Sequence, residues 1–250
     1  MPAVPAEHVL DLPPLYRAIG LREVGDAFAR AVEIAPIEGA GTLVWTRRFD
    51  LVEVAIVLEP DEPLATARRA FFAGMNAAAD ALAAHCPPDK PIMFAWPDTI
   101  LLDGGLIGGA RLAWPHDADE REPPAFLVFG LMLRLMMHSG AGSRDYAAPR
   151  DHTSLEAEGF EILDPAAVIA SFSRHLMAEI DRWQSEGFGK VGADYLARLS
   201  PEKGARRGID GNGDLLVHRL GKTGAAERRP LVPALEACGW LDRQTMEPLS

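Results

Sequence analysis

The stretch from Trp96 to Leu112, WPDTILLDGGLIGGARL, constrains the fold more than any other part of the chain. Ile100 to Leu102 is an apolar run with a β-branched start. Asp103-Gly104-Gly105 is turn punctuation, because glycine takes positive φ without a Cβ clash. The apolar residues that follow return as a second strand, so the stretch reads as a β-hairpin. Gly108-Gly109 then interrupts the returning strand. Glycine weakens a strand interior, so the pair marks a bulge or a place where a ligand or another backbone comes very close. With the Trp96-Pro97 step beside it, the hairpin makes a candidate ligand wall.

The remaining segments supply partners for this hairpin. Pro2 to Pro14 is proline-rich and extended. Leu21 to Ile34 carries apolar residues at helical spacing (Leu21, Val24, Phe28, Val32), and Pro36 to Gly41 reads as a turn. Thr42 to Trp45 and Val52 to Leu58 are rich in β-branched residues and read as strands. Ala65 to His85 is alanine-rich and free of internal proline, hence helical, and Pro87-Pro88 closes it. Ile92 to Ala95 precedes the hairpin, His116 to Pro124 is a charged loop, and Phe126 to Met137 reads as a buried strand running past Gly130. Ser139 to Ser154 reads as loop. Pro165 to Glu186 repeats Val168, Phe172, Leu176, Ile180 and Trp183 at helical intervals, and Phe188 to Leu199 gives a shorter helix. Pro201 to Arg207 reads as a linker, Ile209 to Val217 as a turn entering a strand, and the tail as short strand and turn. A boundary near residue 203 divides a domain of residues 1–203 from a small β domain of residues 204–250. Strands and helices alternate without a strict βαβ repeat, which predicts an α+β fold: a mixed β-sheet flanked by helices, followed by the small β domain.

Charge and cysteine content narrow the functional classes. A formal net charge of -11 argues against nonspecific binding to nucleic acid or to an anionic membrane surface. Cys86 and Cys238 are too few for a disulfide framework. The first residues lack a secretory pattern and no apolar run reaches the length of a membrane span, so the expected location is the cytoplasm. The histidines are scattered without zinc-ligand spacing, and His138 reads as structural. Asp210 to Asp214 imitates the start of a calcium loop, but Leu215 stands where glycine is needed and Gly221 where the closing glutamate is needed, so it reads as a turn. No metal site is expected.

Trp96, Pro97, Asp103, Gly104, Gly109 and Leu112 resemble the biotin and lipoate protein ligase family, which carries K-W-P-N-D, a few apolar residues, D-G, then K-x-x-G-I-L. Further segments match in order. Gly130 corresponds to a glycine of the family's G-x-G-I-N strand. Arg174 to Leu199, with Gly187 and Tyr195-Leu196, resembles the helices that end the catalytic domain. Gly208-Ile209-Asp210 through Leu215-Leu216-Val217 resembles the G-I-D-x-x-G-x-L-L-V entry to a small C-terminal β domain. The resemblance implies an enzyme that joins biotin or lipoate to AMP and transfers the acyl group to a carrier-protein lysine. It would use ATP with Mg2+, take biotin, lipoate or octanoate as substrate, and have a carrier-protein domain as partner. On this resemblance Trp96, Asp98, Gly108, Gly109 and Gly130 line the pocket, and Arg47 and Arg48 face its anionic end.

The departures from the family pattern fall together. Ala95 replaces the lysine and Asp98 the asparagine. Thr46-Arg47-Arg48-Phe49-Asp50 stands where the family has a G-R-G-R-x-G-R loop, and Glu23-Val24-Gly25 where it has S-T-N. Adenylate formation needs cations and glycine-rich backbone around a carboxylate and a triphosphate. The losses all lie on that side of the pocket. The expectation is therefore a biotin/lipoate ligase-like enzyme with a degenerate ATP grip, attaching or transferring a biotin-, lipoyl- or related acyl group to a carrier-protein lysine; a pre-activated acyl donor would remove the need for a triphosphate grip. The alternative is a noncatalytic cofactor-binding or sensing protein on the same fold. A Cys238 thiolate as acyl acceptor stands against an inert buried thiol.

Overall fold

The computed structural model describes residues 10–137, 151–219, 221 and 224–249; His138 and most of the Ser139–Ser154 segment lie outside the described residues. β1 (Arg17–Leu21) passes through α1 (Ala27–Glu38) to β2 (Thr42–Thr46), and β3 (Leu51–Leu58) follows. Next come α2 (Leu64–Ala67), α3 (Ala70–Ala83), β4 (Ile92–Ala95), β5 (Thr99–Leu102), β6 (Gly105–Ala113), β7 (Leu127–Arg134), α4 (Pro165–Glu186) and α5 (Phe188–Arg198). The strands form one seven-stranded sheet in the order β1-β2-β3-β7-β6-β5-β4. β1 and β2 are parallel, and every other neighbouring pair is antiparallel.

The central hairpin forms as its sequence dictates. Asp103 (φ 50°) and Gly104 (φ 85°) make the turn between β5 and β6, both in the left-handed region that a two-residue hairpin loop requires. The register slips between Ile100 and Leu101, which leaves Ile107 as the bulged residue beside Gly108. Gly108 is there because β7 comes close: a Cβ would lie 2.0 Å from the Met132 carbonyl oxygen.

Other segments differ from the sequence reading, for local reasons. Leu21 belongs to a strand, and the first helix begins only after Asp26, whose side chain accepts from Ala29 N at 2.7 Å. That helix runs through Pro36 to Glu38, so the expected turn at 36 begins three residues later. The Ala65–His85 helix is broken at Arg68-Arg69 into α2 and α3. The break directs Arg68 onto Glu120 (2.5 Å) and places its guanidinium 4.4 Å above the Trp114 ring.

The sheet has two differently covered faces. On the first, Val52, Val54 and Ile56 of β3 and Phe129, Leu131 and Leu133 of β7 meet Phe71, Phe72 and Met75 of α3 and Phe172 and Leu176 of α4. Side chains one residue out of phase point to the second face, as strand geometry demands. There α1 covers Ala55, Val57 and Val128, while the C-terminal residues cover Leu51 and Met132.

A small three-stranded antiparallel sheet follows: β8 (Ala205–Ile209), β9 (Leu215–Arg219) and β10 (Glu227–Arg229). β8 begins within the segment read as a linker, and Arg207 ties it back to the Leu199 and Ser200 carbonyls at the end of α5. The tail read as strand and turn also contains a helix, α6 (Leu231–Ala237), before the short hairpin of β11 (Leu241–Asp242) and β12 (Glu247–Pro248). Among the described residues no helix is long and apolar enough to cross a membrane.

Candidate functional site

The second face of the sheet gathers the unusual chemistry. β6 and β7 run antiparallel, and Arg111 lies opposite Gly130 while Gly109 lies opposite Met132. The strand alternation turns Gly109, Arg111, Gly130 and Arg134 toward the second face. Each glycine opens room for an aromatic ring from elsewhere in the chain. A Cβ at Gly130 would lie 2.4 Å from Phe28 Cδ2 on α1, and a Cβ at Gly109 would lie 2.5 Å from Trp240. The Arg111 guanidinium lies 4.0 Å above the Phe28 ring and has no ion-pair partner among the described residues.

Trp240 closes the other end of this face. It is 1% exposed and packs with Leu51, Met132 and Leu241, next to Leu106 and Cys238. Cys238 has a left-handed backbone (φ 45°) at the end of α6, which turns the chain onto the sheet. The hairpin that follows is pinned at its far end. Glu247 pairs with Arg48 at 2.6 Å, the Pro248 carbonyl accepts from Arg134 Nη2, and Leu249 N donates to the Trp240 carbonyl at 2.8 Å.

Asp98 lies beneath Trp240 and is 2% exposed. Burial pushes its carboxyl up to about 7, against the pull of Thr99 Oγ1 and Trp240 Nε1. Trp240 Nε1 and Asp98 Oδ2 are both buried, and neither makes a hydrogen bond of good geometry. Glu53 is the second buried carboxylate of this face. Its Oε1 accepts from Ala27 N at 2.8 Å and its Oε2 from Thr46 Oγ1 at 3.0 Å. Burial raises its pKa, and the two donors oppose that.

The residues picked from the sequence separate on this map. Asp98 and Gly109 lie together under the C-terminal hairpin, Gly108 sits against the β7 backbone beside Gly109, and Gly130 lies next to them under Phe28. Trp96 belongs to the first face, stacked on Phe72 at 6.0 Å and edge-on to Tyr195 at 6.2 Å, so it does not share a cleft with Asp98. Arg48 is held by Asp50 and Glu247, both at 2.6 Å, and these carboxylates raise its pKa. Arg47 is exposed beside Gly20 and Trp45 at the β1 side. Arg111, Phe28, Glu53 and Trp240 were missed. Arg111 was legible in principle, because it is two residues beyond Gly109 and therefore on the same face of the strand.

The ATP with Mg2+ implied by the resemblance does not fit these residues. A helix N-terminus attracts phosphate through its free N–H groups. In α1 the Ala27 and Ala29 N–H groups already serve Glu53 and Asp26, two carboxylates of the chain itself. Only Arg47, Arg48, Phe49 and Asp50 link β2 to β3, with no glycine to wrap a phosphate. Cys238 fits a thiolate no better: burial, then Asp98, pushes its thiol up to about 11. Asp210 forms an Asx turn, accepting from Asn212 N and Asp214 N, as the failed calcium pattern implied.

The sheet order, the helices on its first face and the small β domain define the cofactor-protein ligase class of α+β fold. Residues 12–197 match the biotin/lipoate A/B protein ligase family, and the chain belongs to that family. A biotin–[acetyl-CoA-carboxylase] ligase of Paracoccus denitrificans is 25% identical over 198 residues, spanning 72% of this chain and 77% of the relative. A biotin protein ligase-like protein of unknown function from Silicibacter sp. TM1040 superposes with a TM-score of 0.77 at 25% identity, over 90% of this chain and 99% of that one. The Aquifex aeolicus biotin protein ligase, solved with biotin and ATP, shares the fold with a TM-score of 0.61 at 13% identity, over 86% and 95% of the two chains.

Proposed function

We propose that this protein handles a biotin-, lipoyl- or related acyl group on the second face of its sheet, and that it receives the group already activated. The reading is a transferase of the ligase family that passes an acyl group to a carrier-protein lysine. The observation that carries it is the occupied N-terminus of α1. Asp26 and Glu53 take two of the donors that a phosphate chain would use and fill the space beside them. Arg111 remains as a cation over the glycine-lined strip between Phe28 and Trp240 and suits a single developing or resident negative charge. Asp98, pushed up to about 7, has the proton affinity to accept the proton of an attacking amine.

The test compares donors. The protein is incubated with a lysine-bearing carrier domain and either octanoyl-AMP, lipoyl-AMP or biotinyl-AMP, or the free acids with ATP and Mg2+. Intact-mass spectrometry of the carrier reads the product. Label from the activated donors alone supports the reading. Pyrophosphate exchange or label from free acid with ATP overturns it. A noncatalytic sensor is favoured by the rings that already fill both glycine positions. It would bind the acyl-AMP by calorimetry and leave every carrier unlabelled.

A further inference from the structure

The C-terminal hairpin fits the second face in its apolar part and misfits it in its polar part. The Trp240 indole fills the space left by the missing side chain of Gly109 and rests on Leu51 and Met132. Yet its Nε1 and the Asp98 Oδ2 beneath it have both lost water without gaining a hydrogen bond of good geometry. At the other end of the hairpin, a carboxylate (Glu247) and a carbonyl (Pro248) sit on two arginines of the sheet, Arg48 and Arg134. Arg134 is 6% exposed, and burial lowers its pKa while Glu247 and Asp50 raise it. The β11–β12 ladder has two residue pairs, and the chain enters it through Cys238-Gly239, where the backbone turns out of α6.

We propose that the hairpin Trp240–Leu249 stands in for the ligand: its indole holds the place of a compact apolar group over Gly109, and Glu247 with the Pro248 carbonyl holds the place of that group's anionic end. Ligand entry then requires the hairpin to lift about Gly239. Lifting exposes Gly109, Leu51 and Met132 and frees Arg134 to join Arg111, with Arg48 still held by Asp50, which turns a closed face into an apolar strip with a cationic end. The ligand class follows from what is uncovered: an acyl or ring group ending in a carboxylate or phosphate ester, with a hydrogen-bond donor able to reach Asp98 Oδ2. This inference rests on the reading that the second face is the acyl site.

Octanoyl-AMP and biotinyl-AMP, titrated by calorimetry into the full chain, are the probes. An occluded site has its affinity reduced by the fraction of molecules that are open, so Trp240→Ala should bind about tenfold more tightly than the parent protein and Glu247→Gln about threefold. Glu247→Gln removes only a charge at a part-exposed position, so it remains informative if Trp240→Ala fails to fold. Hydrogen exchange on the parent protein is the second readout. Saturating octanoyl-AMP should speed amide exchange at Leu241 and Leu249. If the ligand binds but those amides slow or stay unchanged, and Glu247→Gln gains nothing, the hairpin is part of the site wall and the stand-in is refuted while the acyl-site reading survives. If neither the parent nor Glu247→Gln binds either probe, both fall.

Discussion

Replacing Asp98 with asparagine removes a carboxyl group whose proton is coupled to folding. In the unfolded chain this carboxyl titrates at the usual 3.8, and in the native protein burial pushes it up to about 7. The native state therefore binds the proton more tightly, and stability falls as pH rises from about 4 to about 7 and levels off above. A gap of roughly three pH units corresponds to a native-state penalty of about 4 kcal/mol at pH 8, against under 2 kcal/mol at pH 5. Asparagine keeps the shape and has nothing to titrate. The stability difference between Asp98→Asn and the parent should thus shift in favour of the variant by about 2.5 kcal/mol between pH 5 and pH 8. Urea unfolding of both proteins at four pH values measures it, and taking the difference cancels Glu53 and other groups common to the two. A difference that stays constant with pH within about 0.5 kcal/mol would show that Asp98 is ionised in the native state and refute the buried-proton reasoning.

Gly109→Ala should destabilise the fold by about 3 kcal/mol, because the methyl meets both a buried indole and the Asp98 carbonyl oxygen at 2.4 Å. Gly130→Ala should cost about 1 kcal/mol, since the half-exposed Phe28 ring can swing away; equal losses in urea unfolding would contradict this map of the face. Arg111→Gln should weaken acyl-AMP binding at least about tenfold in calorimetry while unfolding shifts by no more than about 1 kcal/mol, the size of the lost contact with the Phe28 ring, because its charge has no ion-pair partner to lose among the described residues. Unchanged binding would remove Arg111 from the site.

The architecture was legible where local chemistry and tertiary packing agree. The β5–β6 hairpin, α4 and the β3–β7 strands follow from Asp103-Gly104, from helical spacing and from β-branched runs. β1 was hidden because Leu21 satisfies a helical period with Val24 as well as a strand end, and only pairing with β2 decides between them. The site was half legible. Glycines at 109 and 130 announce a close approach but not what approaches. Here the partners are Phe28 and Trp240, far away in the chain, and no local pattern ties them to those glycines. Arg48 is held by Asp50, two residues on, and by Glu247 at the opposite end of the sequence, and only the second of these partners is invisible locally. Trp96 looked like a wall of the cleft because the hairpin motif includes it, whereas its ring belongs to the packed interior formed by Phe72 and Tyr195.

β7 occupies the middle of the sheet, with β1–β3 on one flank and β4–β6 on the other. Arg48 belongs to the first flank, Arg111 to the second, and Arg134 to the end of β7 itself. The spacing of all three cations is thus set by one spine and its two ladders. Any change that tilts this strand, even at Phe129 on the far side, re-gauges the distance between the arginines without touching one of them.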